Sequence, residues 1–226
     1  MELKIKEMAQ MIEHTNLKAF STKEDFKKLC DEAKEYGFKS VVVNGEPAAF
    51  CSGQLKGSDV LLGVTIGFPL GQMTIEAKVF EAEDAIKNGC DEFDYVLNVG
   101  KVKEHDYGYI EKEMKALVEA AGKNGKVCKV IYETCYLTDE EIIEVSRIAA
   151  RVRPDFVKTS TGFGTGGAKP EHVRLMKENA GGVAVKASGG IRSYETAKMM
   201  IEAGAVRLGT SSGVEIIKEM KEAEGL

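Results

Sequence analysis

Short apolar stretches rich in β-branched residues alternate with longer amphipathic stretches along the whole chain. The short stretches have the length and composition of buried strands, and the longer ones have the 3.6-residue period of helices. The predicted strands are residues 40–43, 60–66, 93–97, 127–132, 156–158, 183–186 and 205–208, with a weaker eighth candidate at 11–15.

Helices are predicted between these strands, among them residues 22–36, 75–88, 110–123, 138–151, 171–179 and 194–203. Two sequences of the form Ser/Thr-x-x-Glu, Ser21 to Glu24 and Thr138 to Glu141, predict capping boxes at helix starts. Glycines follow three of the predicted helices, where a left-handed residue commonly ends a helix, at positions 37, 89 and 204.

Repeated strand–helix units predict a parallel sheet. Eight units in 226 residues suit a closed (β/α)8 barrel, and an open doubly wound sheet is the alternative. Polar or ionisable residues follow nearly every predicted strand, whereas an open sheet would concentrate them near one switch point. We therefore predict a single α/β domain over residues 1–226, a (β/α)8 TIM barrel with a short N-terminal helix.

Composition narrows the function classes. The formal net charge of -5 argues against a general nucleic-acid-binding protein, and no apolar stretch reaches the ~20 residues of a membrane span. The first six residues are too charged for a secretory signal, and the five cysteines lack C-x-x-C spacing. We expect a cytoplasmic protein with free thiols, and the scattered histidines suggest no metal site.

Two lysines end apolar strands, Lys158 in DFVK and Lys186 in VAVK. A single such lysine would most often extend its ammonium group to the strand rim. Two lysines on neighbouring parallel strands, ~4.8 Å apart, could approach each other closely. A nearby cation and partial desolvation both lower a lysine pKa, and the resulting free amine can form an imine with a carbonyl.

Asp94 lies within the otherwise apolar strand FDYVL. An unpaired buried carboxylate is costly, so a cationic partner is expected. Lys129 is one candidate, and strand alternation places Glu133 on the same face as Lys129. The spacing leaves two interpretations equally open: a static ion pair, or a proton relay through Lys129 and Asp94.

Three glycine-rich turns follow the last three predicted strands, at residues 162–167, 188–190 and 209–213. Exposed backbone N–H groups at such turns suit a phosphate group, and the late turns of a barrel are its usual phosphate site. Two motif matches within them are rejected. The dinucleotide pattern at 162–167 lacks its later acidic residue, and no histidine follows the serine of G-x-S-x-G at 209–213.

Seven stretches, in order over almost the whole chain, resemble the deoxyribose-phosphate aldolase family. They are residues 13–18 (EHTNLK), 64–71 (VTIGFPLG), 78–84 (KVFEAED), 94–100 (DYVLNVG), 158–163 (KTSTGF), 186–192 (KASGGIR) and 209–213 (GTSSG). The pairing of KTSTG with KASGGI is far more specific than any glycine motif alone. Glu13 stands where members of the family usually have aspartate.

This resemblance implies a class I aldolase that reversibly cleaves 2-deoxy-D-ribose 5-phosphate to D-glyceraldehyde 3-phosphate and acetaldehyde, with no metal or cofactor. Lys158 would form the Schiff base, Lys186 would perturb its pKa and relay protons, and Asp94 would donate and accept a proton. The implied substrate-binding residues are Gly162, Gly189, Gly190, Ser211 and Ser212 at the phosphate, with Lys129 and Glu13.

Two alternatives remain. One is another Schiff-base barrel enzyme, such as a transaldolase-like protein or an aldolase for a different sugar phosphate. The other is a catalytically silent sugar-phosphate-binding protein, which would not need a lysine at position 158. We further expect a homo-oligomer, a dimer or tetramer, without a nucleic-acid or membrane partner.

Overall fold

Eight parallel strands form a closed barrel in the computed structural model of the protein, which describes residues 4–223 and residue 225. The strands are β1 (Ile12–Thr15), β2 (Ser40–Val43), β3 (Leu61–Ile66), β4 (Glu92–Val96), β5 (Val127–Ile131), β6 (Phe156–Lys158), β7 (Ala184–Ser188) and β8 (Arg207–Thr210). Each strand pairs with the next one along the chain, and β8 pairs with β1. The barrel is confirmed and the open sheet is excluded.

Helices follow the strands around the outside of the barrel. They are α1 (Ile5–Ala9), α2 (Lys23–Tyr36), α3 (Ala48–Leu55), α4 (Ile75–Lys87), α5 (Val99–Lys103), α6 (Tyr107–Lys123), α7 (Asp139–Val152), α8 (Pro170–Asn179), α9 (Tyr194–Ala203) and α10 (Gly213–Ala223). The short α1 precedes the barrel, as predicted, and packs against α10. The predicted domain also includes residues 1–3, 224 and 226, which lie outside the described residues.

None of the helices in the described part of the chain is long and apolar enough to cross a membrane.

The capping box of α2 lies one residue later than predicted. The Thr22 side chain accepts a hydrogen bond from the Asp25 amide, and the Asp25 carboxylate accepts one from the Thr22 amide. Ser21 instead donates its hydroxyl hydrogen to Asn16, 2.8 Å away, and thereby helps to hold the turn after β1. The box predicted from Thr138 to Glu141 is present at the start of α7.

Predicted and observed strand bounds differ most at the last strand. The apolar residues Ala205 and Val206 favour an earlier start, but β8 begins at Arg207 and extends to Thr210. An arginine and a glycine weaken the strand pattern, and only pairing with β7 and β1 places them in the barrel wall. Gly37 and Gly204 end α2 and α9 in the left-handed conformation, as predicted.

The two faces of the barrel wall are chemically different. Side chains that point outward, such as those of Val41, Tyr95 and Val157, join one hydrophobic core between strands and helices. The alternate positions point inward, and there the barrel holds ion-paired side chains, including Asp94 and Lys129. Barrel interiors are usually filled by branched apolar residues. The charged interior therefore marks a part of this fold that packing alone does not explain.

Candidate active site

A cavity of about 370 Å³ opens at the C-terminal end of the barrel. Lys158, the last residue of β6, contributes to its wall although only 4% of its side chain is exposed. The turns after β1, β6, β7 and β8 form much of the remaining wall, with Asn16, Lys18, Gly162, Gly189, Arg192 and Ser211. The cavity is thus placed where barrel enzymes carry out their chemistry.

Lys158, Lys186 and Asp94 meet directly beneath this cavity. Both lysine Nζ atoms lie 2.6 Å from Asp94 Oδ2, so a single carboxylate oxygen bridges the two amines. Strand register explains this arrangement, because Lys158 and Lys186 are paired neighbours on β6 and β7. The structure therefore brings together the three residues that the sequence singles out for catalysis.

A second set of charges extends from this centre deeper into the barrel. Lys129 Nζ lies 3.0 Å from Asp94 Oδ1, 3.0 Å from Glu92 Oε1 and 3.7 Å from Glu13 Oε2. Lys186 also donates a hydrogen bond to Glu13. Arg207 lies 3.4 Å from Glu13 and 3.9 Å from Glu92. We call the seven residues the charge cluster: Glu13, Glu92, Asp94, Lys129, Lys158, Lys186 and Arg207.

The lack of a side chain at Gly209 makes room for Lys186, a member of this cluster. Gly209 on β8 lies beside Lys186, and a Cβ at position 209 would come within 3.1 Å of Lys186 Cε and 2.9 Å of Ser188 Cβ. A larger residue would force Ser188 or Lys186 to shift. The glycine that the sequence assigns to a phosphate turn therefore also accommodates the lysine side chain.

Burial and charge act in opposite directions on the pKa values of the cluster. Burial disfavours the Asp94 carboxylate, but Lys129, Lys158 and Lys186 outweigh it and hold the pKa of Asp94 well below its usual range. Burial would likewise lower the pKa of Lys129, but the carboxylates of Asp94, Glu13 and Glu92 raise it. Asp94 and Lys129 are therefore both charged near neutrality.

Lys158 differs from them. Burial lowers the pKa of Lys158 from 10.5 to about 8; Asp94 opposes this shift and the charge of Lys186 adds to it. The shift corresponds to roughly 3 kcal/mol against the ammonium form. It increases the fraction of free amine at pH 7 by a factor on the order of 300. A nucleophilic amine thus faces the cavity. Burial lowers its pKa more than the charge of Lys186 does.

The glycine-rich turns converge on the same cavity. Gly162, Gly189, Gly190 and Ser211 all line it. Ser212 does not, and its backbone amide already donates a hydrogen bond to Thr210 Oγ1 at 2.9 Å. The turn residues that surround Lys158 thus include most of the predicted phosphate site, without the amide of Ser212.

Two of the predicted substrate-binding residues lie away from the cavity wall. Glu13 and Lys129 are fully buried within the barrel, beneath Lys158. Glu133 does not join them as strand alternation predicts, because the backbone leaves β5 and adopts φ 55 at this residue. Its carboxylate instead accepts hydrogen bonds from the backbone amide and hydroxyl of Thr161, and so supports the turn after β6.

The sequence interpretation overlooked Glu92 and Arg207. Glu92 stands two residues before Asp94, and Arg207 stands two residues before Gly209. The two-residue period of strands places each pair on one face, so alternation could have identified both. Among the described residues, no group of three or more His, Cys, Asp or Glu side chains could hold a metal ion.

Comparison with known proteins relates this site to one family. The sequence model described as DeoC/LacD family aldolase matches residues 4–219. A deoxyribose-phosphate aldolase of Lactobacillus acidophilus is 53% identical over 98% of this chain and 94% of its own length. One from Aciduliprofundum boonei is 51% identical over 96% and 98% of the two chains. The tetrameric deoxyribose-phosphate aldolase structure from Aeropyrum pernix superimposes with a TM-score of 0.91 at 35% identity, covering 97% and 93%.

The low pKa of Lys158 predicts a distinctive pH dependence of its reactivity. Reductive methylation with formaldehyde and cyanoborohydride should accelerate about tenfold per pH unit up to about pH 8 and then level off. Exposed Lys123, whose pKa is raised by Glu119, provides the internal control and should keep gaining reactivity beyond pH 10. Mass mapping of peptides after short exposures measures both sites. Parallel profiles for the two lysines would contradict the assignment.

Proposed function

The chain belongs to the DeoC/LacD family of aldolases, and on this basis we propose that it reversibly cleaves 2-deoxy-D-ribose 5-phosphate into D-glyceraldehyde 3-phosphate and acetaldehyde. The observation that carries this proposal is the buried amine of Lys158, which faces the cavity with a pKa of about 8. An amine in this state forms a Schiff base with an aldehyde.

The first chemical step joins Lys158 to the open-chain form of the sugar. The free amine attacks the aldehyde carbon C1 and gives a carbinolamine, which loses water to become a protonated imine. The attacking nitrogen must lose a proton, and the departing hydroxyl group must gain one. Asp94 Oδ2 lies 2.6 Å from the nitrogen of Lys158 and equally close to that of Lys186. We assign Asp94 and Lys186 to this proton transfer.

The imine then accepts the electrons of the bond that breaks. A base removes the proton of the C3 hydroxyl, C3 becomes the aldehyde of glyceraldehyde 3-phosphate, and the C2–C3 electron pair moves onto the imine as an enamine. Protonation at C2 regenerates an imine, and water releases acetaldehyde and the free amine. Asp94 stays ionised, because neighbouring lysines hold its pKa low. It therefore remains a hydrogen-bond acceptor between the nitrogens of Lys158 and Lys186, and we assign it the role of guiding proton transfer to and from Lys186.

The phosphate end of the substrate is assigned to the glycine-rich turns. Gly162, Gly189, Gly190 and Ser211 line the cavity that Lys158 enters, and Arg192 lines it as well. Positive φ values of 87° at Gly189 and 78° at Gly190 set the path of the backbone there. Because the net charge of the chain is -5, phosphate attraction must come from such local donors.

Glu13 and Lys129 receive a different role from the one that the resemblance implies. Both are buried beneath Lys158, and Glu13 holds Lys186 while Lys129 holds Asp94. We propose that they orient the proton relay rather than contact the sugar. The two interpretations of Asp94 left open by the sequence are thereby combined: a static pair with Lys129 supports a relay between Asp94 and Lys186.

We also propose that residues 1–226 act as one catalytic unit in a reducing compartment such as the cytoplasm. The family match over residues 4–219 supports the first point. The five cysteines support the second, since all are free thiols and four of them are buried.

The main test of the proposed reaction compares variants of Lys158 and Lys186, to which different roles are assigned. Lys158→Arg keeps a cation but no nucleophile, so it should abolish turnover and borohydride trapping of acetaldehyde. Lys186→Leu removes one charge that lowers the pKa of Lys158, so trapping should persist and shift to higher pH. Turnover by this variant should fall at least 100-fold, because the relay is broken.

Asp94→Asn serves as the third variant in the same assays. An amide cannot carry the proton, so trapping should remain detectable while kcat is largely lost. Trapping at every pH in Lys158→Arg, together with none in Lys186→Leu, would mean that the roles of the lysines are reversed.

The phosphate assignment is tested by two glycine variants with matched backbone conformations. Gly190→Ala places a methyl group in the cavity, whereas Gly182→Ala lies in the turn between α8 and β7. Both have positive φ, 78° and 90°, and neither new Cβ has an atom within 4 Å. Losing one charge-assisted hydrogen bond costs about 1.5–3 kcal/mol. KM for the phosphorylated sugar should therefore rise ~10- to 100-fold in Gly190→Ala only, with KM for 2-deoxy-D-ribose nearly unchanged. Equal losses on both sugars would place the phosphate elsewhere.

We propose, finally, that the chain forms a homo-oligomer. Phe20, Leu70 and Phe80 are 80%, 71% and 73% exposed, and apolar surface of this kind favours association. The similar enzyme of Aeropyrum pernix is described as tetrameric. Sedimentation equilibrium should give at least twice the mass of one chain, and Phe80→Glu should weaken the association. A monomer at every concentration would refute the proposal.

A further inference from the structure

The part of the charge cluster that lies farthest from the cavity supports a further inference, which deepens the proposed function and rests on it. We propose that Glu92 and Arg207 are positioning residues of the aldol reaction, which act through the cluster and set the charge of the Lys158 amine without contacting the substrate. They lie at the N-terminal end of the barrel, because each is the first residue of its strand, β4 and β8.

Geometry links the two residues to the catalytic centre in short steps. Glu92 lies 3.0 Å from Lys129, and Lys129 lies 3.0 Å from Asp94. Arg207 lies 3.4 Å from Glu13, which holds Lys186. Glu92 and Glu13 are fully buried, and the side chain of Arg207 is only 13% exposed. Interactions between these charges are therefore only weakly screened by solvent.

The number of charges in the cluster indicates how Glu92 and Arg207 act. Three carboxylates face four cationic side chains. With Lys158 as an ammonium ion the cluster has one excess positive charge, and with Lys158 as a free amine it is neutral. Leaving a charge uncompensated inside a protein is costly. Burial favours the free amine, because in that form the cluster has no excess charge, and Glu92 and Arg207 each contribute one charge to this balance.

In the described part of the chain, the charged groups around Lys158 can each be assigned to an element or to the cavity wall. On the inner wall they are Glu13 of β1, Glu92 and Asp94 of β4, Lys129 of β5, Lys186 of β7 and Arg207 of β8. Within the described residues, β2 and β3 contain no charged side chain. On the cavity side the titratable and charged groups are His14, Lys18, Asp25, Lys28, Glu32 and Arg192. Those on the cavity side border the opening, whereas Glu92 and Arg207 lie within the closed cluster.

Opposite effects are expected from the two residues. Glu92→Gln removes a negative charge and leaves the cations less compensated, so Lys158 should lose its proton at lower pH. Arg207→Met removes a positive charge and leaves the carboxylates less compensated, so Lys158 should keep its proton to higher pH. The double variant Glu92→Gln/Arg207→Met removes one charge of each sign and restores the balance, although both original side chains are gone.

The experiment measures the rate of borohydride trapping of acetaldehyde on the full-length protein between pH 5 and 10. The midpoint of this pH profile, at which the trapping rate is half its maximum, should fall by about half a pH unit or more in Glu92→Gln. It should rise by a similar amount in Arg207→Met. At pH 7 this corresponds to about threefold faster and threefold slower trapping. The double variant should return to the wild-type midpoint, and Arg207→Lys, which keeps the charge, should stay there.

A second buried ion pair provides the control. Lys78 and Glu113 are fully buried between α4 and α6, with Lys78 Nζ 2.8 Å from the Val96 carbonyl oxygen. Lys78→Met and Glu113→Gln also remove buried charges of each sign, but neither residue belongs to the charge cluster. They should lower thermal stability without shifting the trapping midpoint in opposite directions.

Midpoints that stay at the wild-type value, or that move in the same direction in both single variants, would overturn the proposal. So would a double variant that fails to revert. If Arg207→Met does not fold, the trapping midpoints of Arg207→Gln and the double variant provide the same comparison. Failure of the wild-type protein to trap acetaldehyde at Lys158 at any pH would instead refute the proposed function.

Discussion

Charge compensation inside the barrel is the constraint on which the rest of the site depends. Seven ionisable side chains point inward, and each isolated buried ion would cost several kcal/mol. Carboxylates therefore hold the pKa of Lys129 high, and lysines hold that of Asp94 low. Lys158, at the edge of the cavity, is the lysine whose pKa falls to about 8. Burial lowers this pKa and the charge of Lys186 adds to the shift, so the polar interior that compensates its own charges also holds the nucleophile.

Backbone contacts between the late turns shape the cavity above this cluster. The Ala168 amide donates a hydrogen bond to the Gly189 carbonyl oxygen at 3.0 Å, and a Cβ at Gly167 would lie 2.2 Å from that oxygen. Thr159 is bound to both the amide and the carbonyl oxygen of Ser188, each at 3.1 Å. The turns after β6 and β7 thus form one unit. The unit fixes the glycine amides relative to Lys158, so the two ends of a substrate could be bound in a defined geometry.

Much of this site could be anticipated from local patterns, and the exceptions have identifiable causes. Lysines at strand ends and an aspartate within an apolar strand stand out because buried ionisable residues are rare. Glu133 was placed wrongly, since alternation holds only while the backbone stays extended and φ is 55 at that residue. Glu92 escaped notice because it begins its strand, where a charged residue is usually a solvated end. Its burial is evident only once the barrel closes around it.

The sequence by itself determined the barrel, the order of its elements and the identity of the paired lysines, because hydrophobic periodicity and residue type are local properties. It also determined which turns carry glycine. Tertiary structure alone decided the neighbours: that one oxygen of Asp94 bridges Lys158 and Lys186, and that Arg207 lies close to Glu13. These contacts join residues up to 194 positions apart. Such distances depend on strand register and on closure of the sheet, and a pKa depends on distance and burial together.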